Sequence, residues 1–424
     1  MTQQSEFKER KIKTTGIEVY SFPSSSHSFC LSLFIRAGAM HEEKGEEGYT
    51  HFFEHIVFRN ISRLMSGELY RVLDRHGLTF SGTTYNELIQ LSIQGSPKYF
   101  KVAADILTLA TSPLVIDRTE LDSEKERVKR EIREDTYRSS VDELLQKAVW
   151  ENTPLSRPIT GTVGGISKLT LKKLSGFSKK ILTSENVFFY LTGAFGEEEE
   201  SYLVSKVDGI TLPSGKKREN SPEKPRDFFE RGGKIVFKKA DFCKVKLSFD
   251  VDTKRIKKPL RDIVYDMLFG GDSSRIFLSL SEEKGYIYSF DANVEEYENV
   301  GAFTLSFETG EKDFLPALRL ALSVISTAAQ RELFEFAKVP YTENFLFMLD
   351  DSEALCWNKV YESQFLGFDY TSLDKRREEY QKITFDDVVQ ATESIFKKDN
   401  LTVAIKHRRD VQKEVREIID EVLK

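Results

Sequence analysis

Residues 46–60 read EEGYTHFFEHIVFRN, and the run from His51 to Phe58 reads as an apolar helix. Upstream, SFCLSLFIRAG (28–38) has the large apolar side chains of a buried strand that stops at Gly38, and HEEKGEEGYT (41–50) makes a charged turn into the helix. Downstream, Leu64, Leu69, Val72 and Leu73 predict a second helix from about Ser62 to Arg75, ended by Gly77. Strand-like runs follow at Leu78–Thr84 and Leu88–Gln94. Helices are expected at Lys98–Ala110 and at Glu120–Tyr137, the latter long and highly charged. Asn186–Thr192 is a further strand, closed by Gly193.

The stretch 212–233, LPSGKKRENSPEKPRDFFERGG, holds three Pro, a basic cluster and few apolar residues, as suits an exposed connection. Beyond it the order of elements restarts. KVKLSFDV (244–251) matches CLSLFIRA (30–37), LRDIVYDMLF (260–269) takes the place of THFFEHIVF, and EKGYIYSFDAN (283–293) echoes RHGLTFSGTTYN (75–86). The offsets of about 208 to 214 residues imply a duplicated domain rather than a short repeat. The expected fold is α+β: two similar domains, 1–211 and 234–424, joined by 212–233, each a mostly antiparallel sheet packed with helices.

A length of 424 residues calls for more than one core, and 32 Phe with 16 Tyr supply the apolar surface for them. The net charge of −6 does not favour nucleic acid. No apolar run is long enough to span a membrane, and the first 16 residues lack the apolar region of a secretory signal. The three Cys (Cys30, Cys243, Cys356) lie far apart, so a reducing, cytoplasmic setting is expected.

His51 and His55 stand at i and i+4 on the first helix, so both imidazoles share a face and can point at one metal. Glu54 lies beside that face, within reach of a metal-bound water. Neutral imidazoles suit Zn²⁺, and a carboxylate near such a water can take and pass on its proton. The H-x-x-E-H order is a metallopeptidase signature. Flanking aromatic and aliphatic residues would bury this polar trio at a cost unless it had a role. A third ligand is needed, and the helix 120–137 offers one. Glu124, Val128, Glu131 and Asp135 line one face of it, and spacing alone leaves Glu131 and Glu134 both open.

EEGYTHFFEHIVFRN resembles the G-x-x-H-x-x-E-H-x-x-F segment of the pitrilysin, insulysin and mitochondrial processing peptidase family of zinc metallopeptidases. RAGAMHEE, HGLTFSGTTYNE, residues 154–182 and FGGDSSRIFLSLSEEKGYIYSF (269–290) fall in the family's order, so the resemblance covers nearly the whole chain. It implies His51, His55 and Glu131 as zinc ligands, Glu54 as the base and Glu124 as the carboxylate behind the ligands, matching E-(x)6-E. It implies half of a clamshell, in which two such halves or two chains close a chamber around a peptide. The second domain, without His in 260–269, is then a non-metal copy that completes the substrate-binding wall.

Two departures stand out. The resemblance implies an Arg and a Tyr seven residues apart in the second domain that contact substrate. Tyr288 fits, but the Arg position is Ser281. The edge strand that usually reads N-A-x-T is Ser81-Gly82-Thr83-Thr84, where a substrate is expected to add as a strand. The missing Arg implies a second chain, either a related subunit that supplies it or another copy in which Arg275 substitutes. The alternative, from a different class, is a non-catalytic or partner-dependent binding subunit. His76 reads as a helix C-terminal residue rather than a ligand. His27, His41 and His407 read as turn residues without a role. Residues 269–274 read as a helix–helix connection, and the tail from Asp410, with Val411, Val415, Ile418, Ile419 and Val422, as a docked amphipathic helix.

Overall fold

The computed structural model describes residues 8–135, 140–271 and 273–424. The described strands form two sheets. In the first, β1 (Arg10–Ile12), β2 (Glu18–Pro23), β3 (Phe29–Ile35), β4 (Thr79–Thr84), β5 (Ile89–Gly95) and β6 (Val187–Gly193) lie in the order β1-β2-β6-β3-β5-β4. The second contains β7 (Lys234–Lys239), β8 (Cys243–Val251), β9 (Phe290–Glu296), β10 (Gly301–Thr309) and β11 (Leu401–His407), ordered β7-β11-β8-β10-β9. Without β1 the two orders are the same. Each sheet has one parallel pair at the same place, β2 with β6 and β7 with β11, and is otherwise antiparallel. The duplication is therefore a property of the backbone, and the class is α+β.

Every residue of β3 and β6 is buried, because both faces of the first sheet are covered. One face carries the helix Tyr49–Leu64 and its neighbours over Leu31, Leu33, Leu91 and Phe189. The other is covered from the far half of the chain. The helix Ser352–Val360 lies on β3 and β6, with Leu355, Cys356 and Val360 against Phe22, Phe34, Phe188 and Tyr190. The reverse also holds: the helix Val141–Val149 leaves the first half to cover β11 and β8, where Val141, Leu145 and Val149 pack with Ala404. The halves expected at 1–211 and 234–424 thus exchange a helix each and are not closed units.

Individual elements compare with the expectations as follows in residue range and surroundings. The first helix runs on to Leu64, and the second spans only Leu69–His76, because the chain turns at Ser66 and Gly67, both at positive φ. The stretch 212–233 has no helix or strand, but it is anchored rather than exposed throughout. The Arg218 N–H donates to Asn186 Oδ1 and Asn220 Nδ2 to the Gln364 carbonyl. Phe228 packs on Trp150, and Arg231 is buried against Asp250 at 2.6 Å. His407 ends β11, buried beside the Phe314 ring, and His41 is half-buried, its Nε2 2.9 Å from the Glu219 carbonyl. The last residues expected in the helix 120–137, from Thr136 on, lie outside the described residues; the helix itself is Arg118–Glu134, opened by an Asp117–Glu120 capping box. His76 ends its helix with Nδ1 2.7 Å from the Val72 carbonyl. The tail helix Gln412–Val422 docks through Val415, Ile418 and Ile419.

Candidate metal centre

The helix Tyr49–Leu64 buries Phe52, Phe53, Ile56 and Val57 against the sheet, which turns His51 and His55 toward the helix Arg118–Glu134. Their ring centroids are 4.7 Å apart. Glu131 faces both: Oε1 lies 3.3 Å from His51 Nε2, and Oε2 lies 3.5 Å from His55 Nε2. Two nitrogens and one carboxylate thus converge on one point. The alternative left open by spacing, Glu134, is exposed three residues further on and meets neither ring among the described contacts.

Glu124 sits behind this set, 0 % exposed. Its Oε1 is 2.9 Å from His55 Nδ1, and Arg59 Nε donates to its Oε2. Burial pushes its carboxyl up, but the bonds from His55 and Arg59 outweigh that and hold it below the usual carboxylate range. An ionised Glu124 keeps the proton of His55 on Nδ1 and leaves the Nε2 lone pair facing Glu131. The bond from His51 likewise holds the Glu131 carboxyl low against the effect of burial. His51 Nδ1 is buried without a hydrogen-bond partner. Imidazole nitrogen, imidazole nitrogen and carboxylate oxygen form a donor set that suits Zn²⁺.

Glu54 turns to the other side. His51, Glu54 and His55 each offer a ligand atom within 4.8 Å of the others, yet the Glu54 carboxylate is engaged by the edge strand, where Thr84 Oγ1 donates to its Oε2 at 3.2 Å. Among the described strands β4 pairs only with β5, which leaves the edge carrying Ser81, Gly82, Thr83 and Thr84 unpaired there. Gly82 permits the close approach: a Cβ there would stand 2.7 Å from the Phe58 ring and 2.8 Å from Glu54 Oε1.

The second-half residues are not drawn into this centre within the chain. Tyr288 is 93 % exposed on the segment leading into β9, and Ser281 lies in the turn Leu278–Glu282. Arg275 is committed elsewhere, its guanidinium donating to the carbonyl and hydroxyl of Thr327 at 2.6 and 2.9 Å.

Two participants escaped the sequence reading. Arg59 continues the four-residue step His51–His55, a visible signal. Glu42, buried at the start of the same helix, lies in an acidic run that looks like any solvated turn.

Residues 19–163 match the family model described as Insulinase (Peptidase family M16), and residues 168–338 match that of the Peptidase M16 inactive domain. The chain belongs to peptidase family M16. A Rickettsia bellii protein named an uncharacterized zinc protease is 24 % identical over 393 residues, 90 % of this chain and 92 % of that one. Among solved structures of M16-like fold, a protease from Helicobacter pylori superposes with a TM-score of 0.80 at 16 % identity, over 95 % of this chain and 99 % of the other. The periplasmic protease PqqL from Escherichia coli gives 0.78 at 14 % identity, over 99 % of this chain but only 50 % of PqqL. Among the described residues of this M16 chain, no helix is long and apolar enough to cross a membrane.

Proposed function

We propose that this M16 chain is a zinc-dependent endopeptidase that hydrolyses peptides or unfolded segments inside a chamber closed by a second chain. The observation that carries this reading is the convergence of His51 Nε2, His55 Nε2 and the Glu131 carboxylate beside a Glu54 carboxylate that faces an open strand edge. His51, His55 and Glu131 would hold the ion. When bound, Zn²⁺ supplies Lewis acidity and brings the pKa of a coordinated water toward neutrality. Glu54 Oε takes the proton of the attacking water and delivers it to the leaving amide nitrogen, while the Thr84 hydroxyl orients that carboxylate. The main chain of the substrate pairs with β4, so Ser81–Thr84 set its register beside Glu54. Glu124 acts through His55, whose tautomer it fixes.

Ser281 in place of Arg, with Arg275 bound to Thr327, supports a second chain as the source of a substrate-binding guanidinium, in preference to another copy of this one. A chain of twice this length in PqqL is consistent with two such units closing one chamber. The three cysteines are free and buried, which supports a reducing compartment and so the cytoplasm. Retention of His51, Glu54, His55 and Glu131 together favours the enzyme over the non-catalytic subunit.

The test is cleavage of a mixed peptide library by the isolated chain, by Ser281→Arg, and by the chain with proteins that co-purify from its native cell. The expected result is slow cleavage alone and faster cleavage with Ser281→Arg or a related subunit. If no preparation cleaves while zinc is bound, the protein is the non-catalytic subunit. If the isolated chain matches its Arg variant and nothing related co-purifies, it is self-sufficient.

A further inference from the structure

The positions of His51 and His55 depend on how their helix begins. It opens at Gly48, held at φ 88°, and Gly48 has no side chain to satisfy the free N–H groups of the first turn. Glu42, six residues upstream and 6 % exposed, does this instead. Its Oε2 accepts from the Gly48 N–H at 2.9 Å, and its Oε1 accepts from the Thr50 N–H at 2.7 Å. Thr50 is the residue before His51, so this bond fixes the backbone one residue from a ligand.

The loop it holds has little room to move. A Cβ on Gly48 would stand 2.7 Å from Gly161 Cα. Lys180 binds Glu43 and Glu46, at 2.6 and 3.0 Å, and Arg157 meets Glu47 at 3.4 Å. Those three acids pair with cations. Glu42 alone is turned inward onto the helix.

The duplicated copy provides a control. Its helix, Lys258–Phe269, starts with Pro259 in the first turn and has no side-chain cap. The nearby Asp252 carboxylate is spent on the loop N–H groups of Lys254 and Arg255. Among the described residues, a carboxylate that accepts from the N–H groups at the helix start therefore accompanies the copy that carries the two histidines and not the other, whose buried Asp262 pairs with Lys258 instead.

We propose that Glu42 is a positioning residue of the metal centre: its carboxylate holds the first turn of the helix so that both imidazoles face Glu131. This rests on reading the site as a zinc centre. Burial pushes the Glu42 carboxyl up to about 7 against the bonds from Thr50 and Gly48. An acid is thus kept where a solvated turn residue would be easier to place.

The test compares Glu42→Ala and Glu42→Gln in the full chain by three readouts. These are amide exchange of the metal-free protein over 46–60 and over 258–269, the rate of zinc release to a chelator, and kcat and KM on a cleaved peptide. For Glu42→Ala, exchange should rise over 46–60 but not over 258–269. Zinc release should quicken at least about tenfold, the scale seen when a group supporting a metal ligand is lost. The kcat value should fall with KM little changed, since the loss is in the alignment of ligands and not in substrate contact. Glu42→Gln keeps the shape and one acceptor, so it should lie between Glu42→Ala and wild type in each readout.

Wild-type exchange over 46–60 and wild-type zinc release in Glu42→Ala would overturn the proposal, as would a KM effect alone. If Glu42→Ala raises exchange over 258–269 as well, the whole chain is destabilised and Glu42→Gln decides. Faster release with local exchange in that variant supports the proposal, and wild-type behaviour overturns it. A protein with no peptidase activity would sink the proposed function, yet exchange and zinc release would still test Glu42.

Discussion

The helices Tyr49–Leu64 and Lys258–Phe269 occupy the same place against their two sheets, and they are closed off in opposite ways. With Thr50 set on Leu260, Arg261 stands at the position of His51, Val264 at Glu54 and Tyr265 at His55. The edge strands keep the same register: Gly82 reaches Leu33 through Leu91, and Ala292 reaches Leu247 through Leu305. In the second half, Tyr265 donates to the Ala292 carbonyl at 3.1 Å. Arg261 is paired with Glu296 of β9 at 2.6 Å, while Lys258 meets Asp262 at 2.9 Å. Arg261 and Tyr265 thus stitch helix to edge, while Asp262 pairs within the helix and accepts from Tyr380. In the first half the corresponding contact is Thr84 with Glu54, and the imidazoles turn away from the sheet to share Glu131. Both sheets end in an edge strand, but one copy ties its helix to that edge with Arg261 and Tyr265, and the other turns its donor atoms toward Glu131.

That contrast can be broken most forcefully at Glu54. Glu54→Gln keeps the shape and both imidazoles but cannot take up a proton at neutral pH. Hydrolysis should fall at least about a hundredfold while zinc content stays at the wild-type level. A variant that cleaves at the wild-type rate would place the base elsewhere.

The converse prediction concerns stability. Arg261→Met strips one partner from a buried ion pair, which should lower unfolding stability by roughly 3 kcal/mol and leave zinc binding unchanged. Chemical denaturation with zinc analysis of the same samples checks both parts. Loss of zinc without loss of stability would mean that the two helices do not divide the work in this way.

A smaller effect is expected at Gly82. In Gly82→Ala the new methyl must displace the Phe58 ring or the Glu54 carboxylate. Turnover should fall about tenfold, in keeping with the cost of a small misplacement of a reacting group, with zinc retained. Unchanged turnover would show that the edge can shift without moving Glu54.

How much of this was legible depends on the distance in sequence over which each contact forms. The trio His51, Glu54 and His55 was readable because i and i+4 geometry is local. The duplication was readable because strand, helix and strand recur in order, and the two sheet orders repeat that recurrence. The choice between Glu131 and Glu134 was not readable from spacing, since both lie on a charged helix and only packing against the first helix separates them. The helices Val141–Val149 and Ser352–Val360 carry no motif that singles them out in the sequence. Nothing in their periodicity says that each covers the sheet of the other half. The stretch 212–233 looked exposed because of its three Pro, its basic cluster and its few apolar residues, while nothing in the sequence marks Arg218, Asn220, Phe228 and Arg231 as the residues that anchor it. Glu42 was hidden by the acids around it.

The most direct test of the account is the zinc content of three purified chains. Wild type and Glu134→Gln should each hold about one zinc per chain after dialysis, and Glu131→Gln should hold far less, because it removes the carboxylate that faces both imidazoles. Equal loss from both variants, or full zinc in Glu131→Gln, would contradict the assignment of His51, His55 and Glu131 as the metal centre.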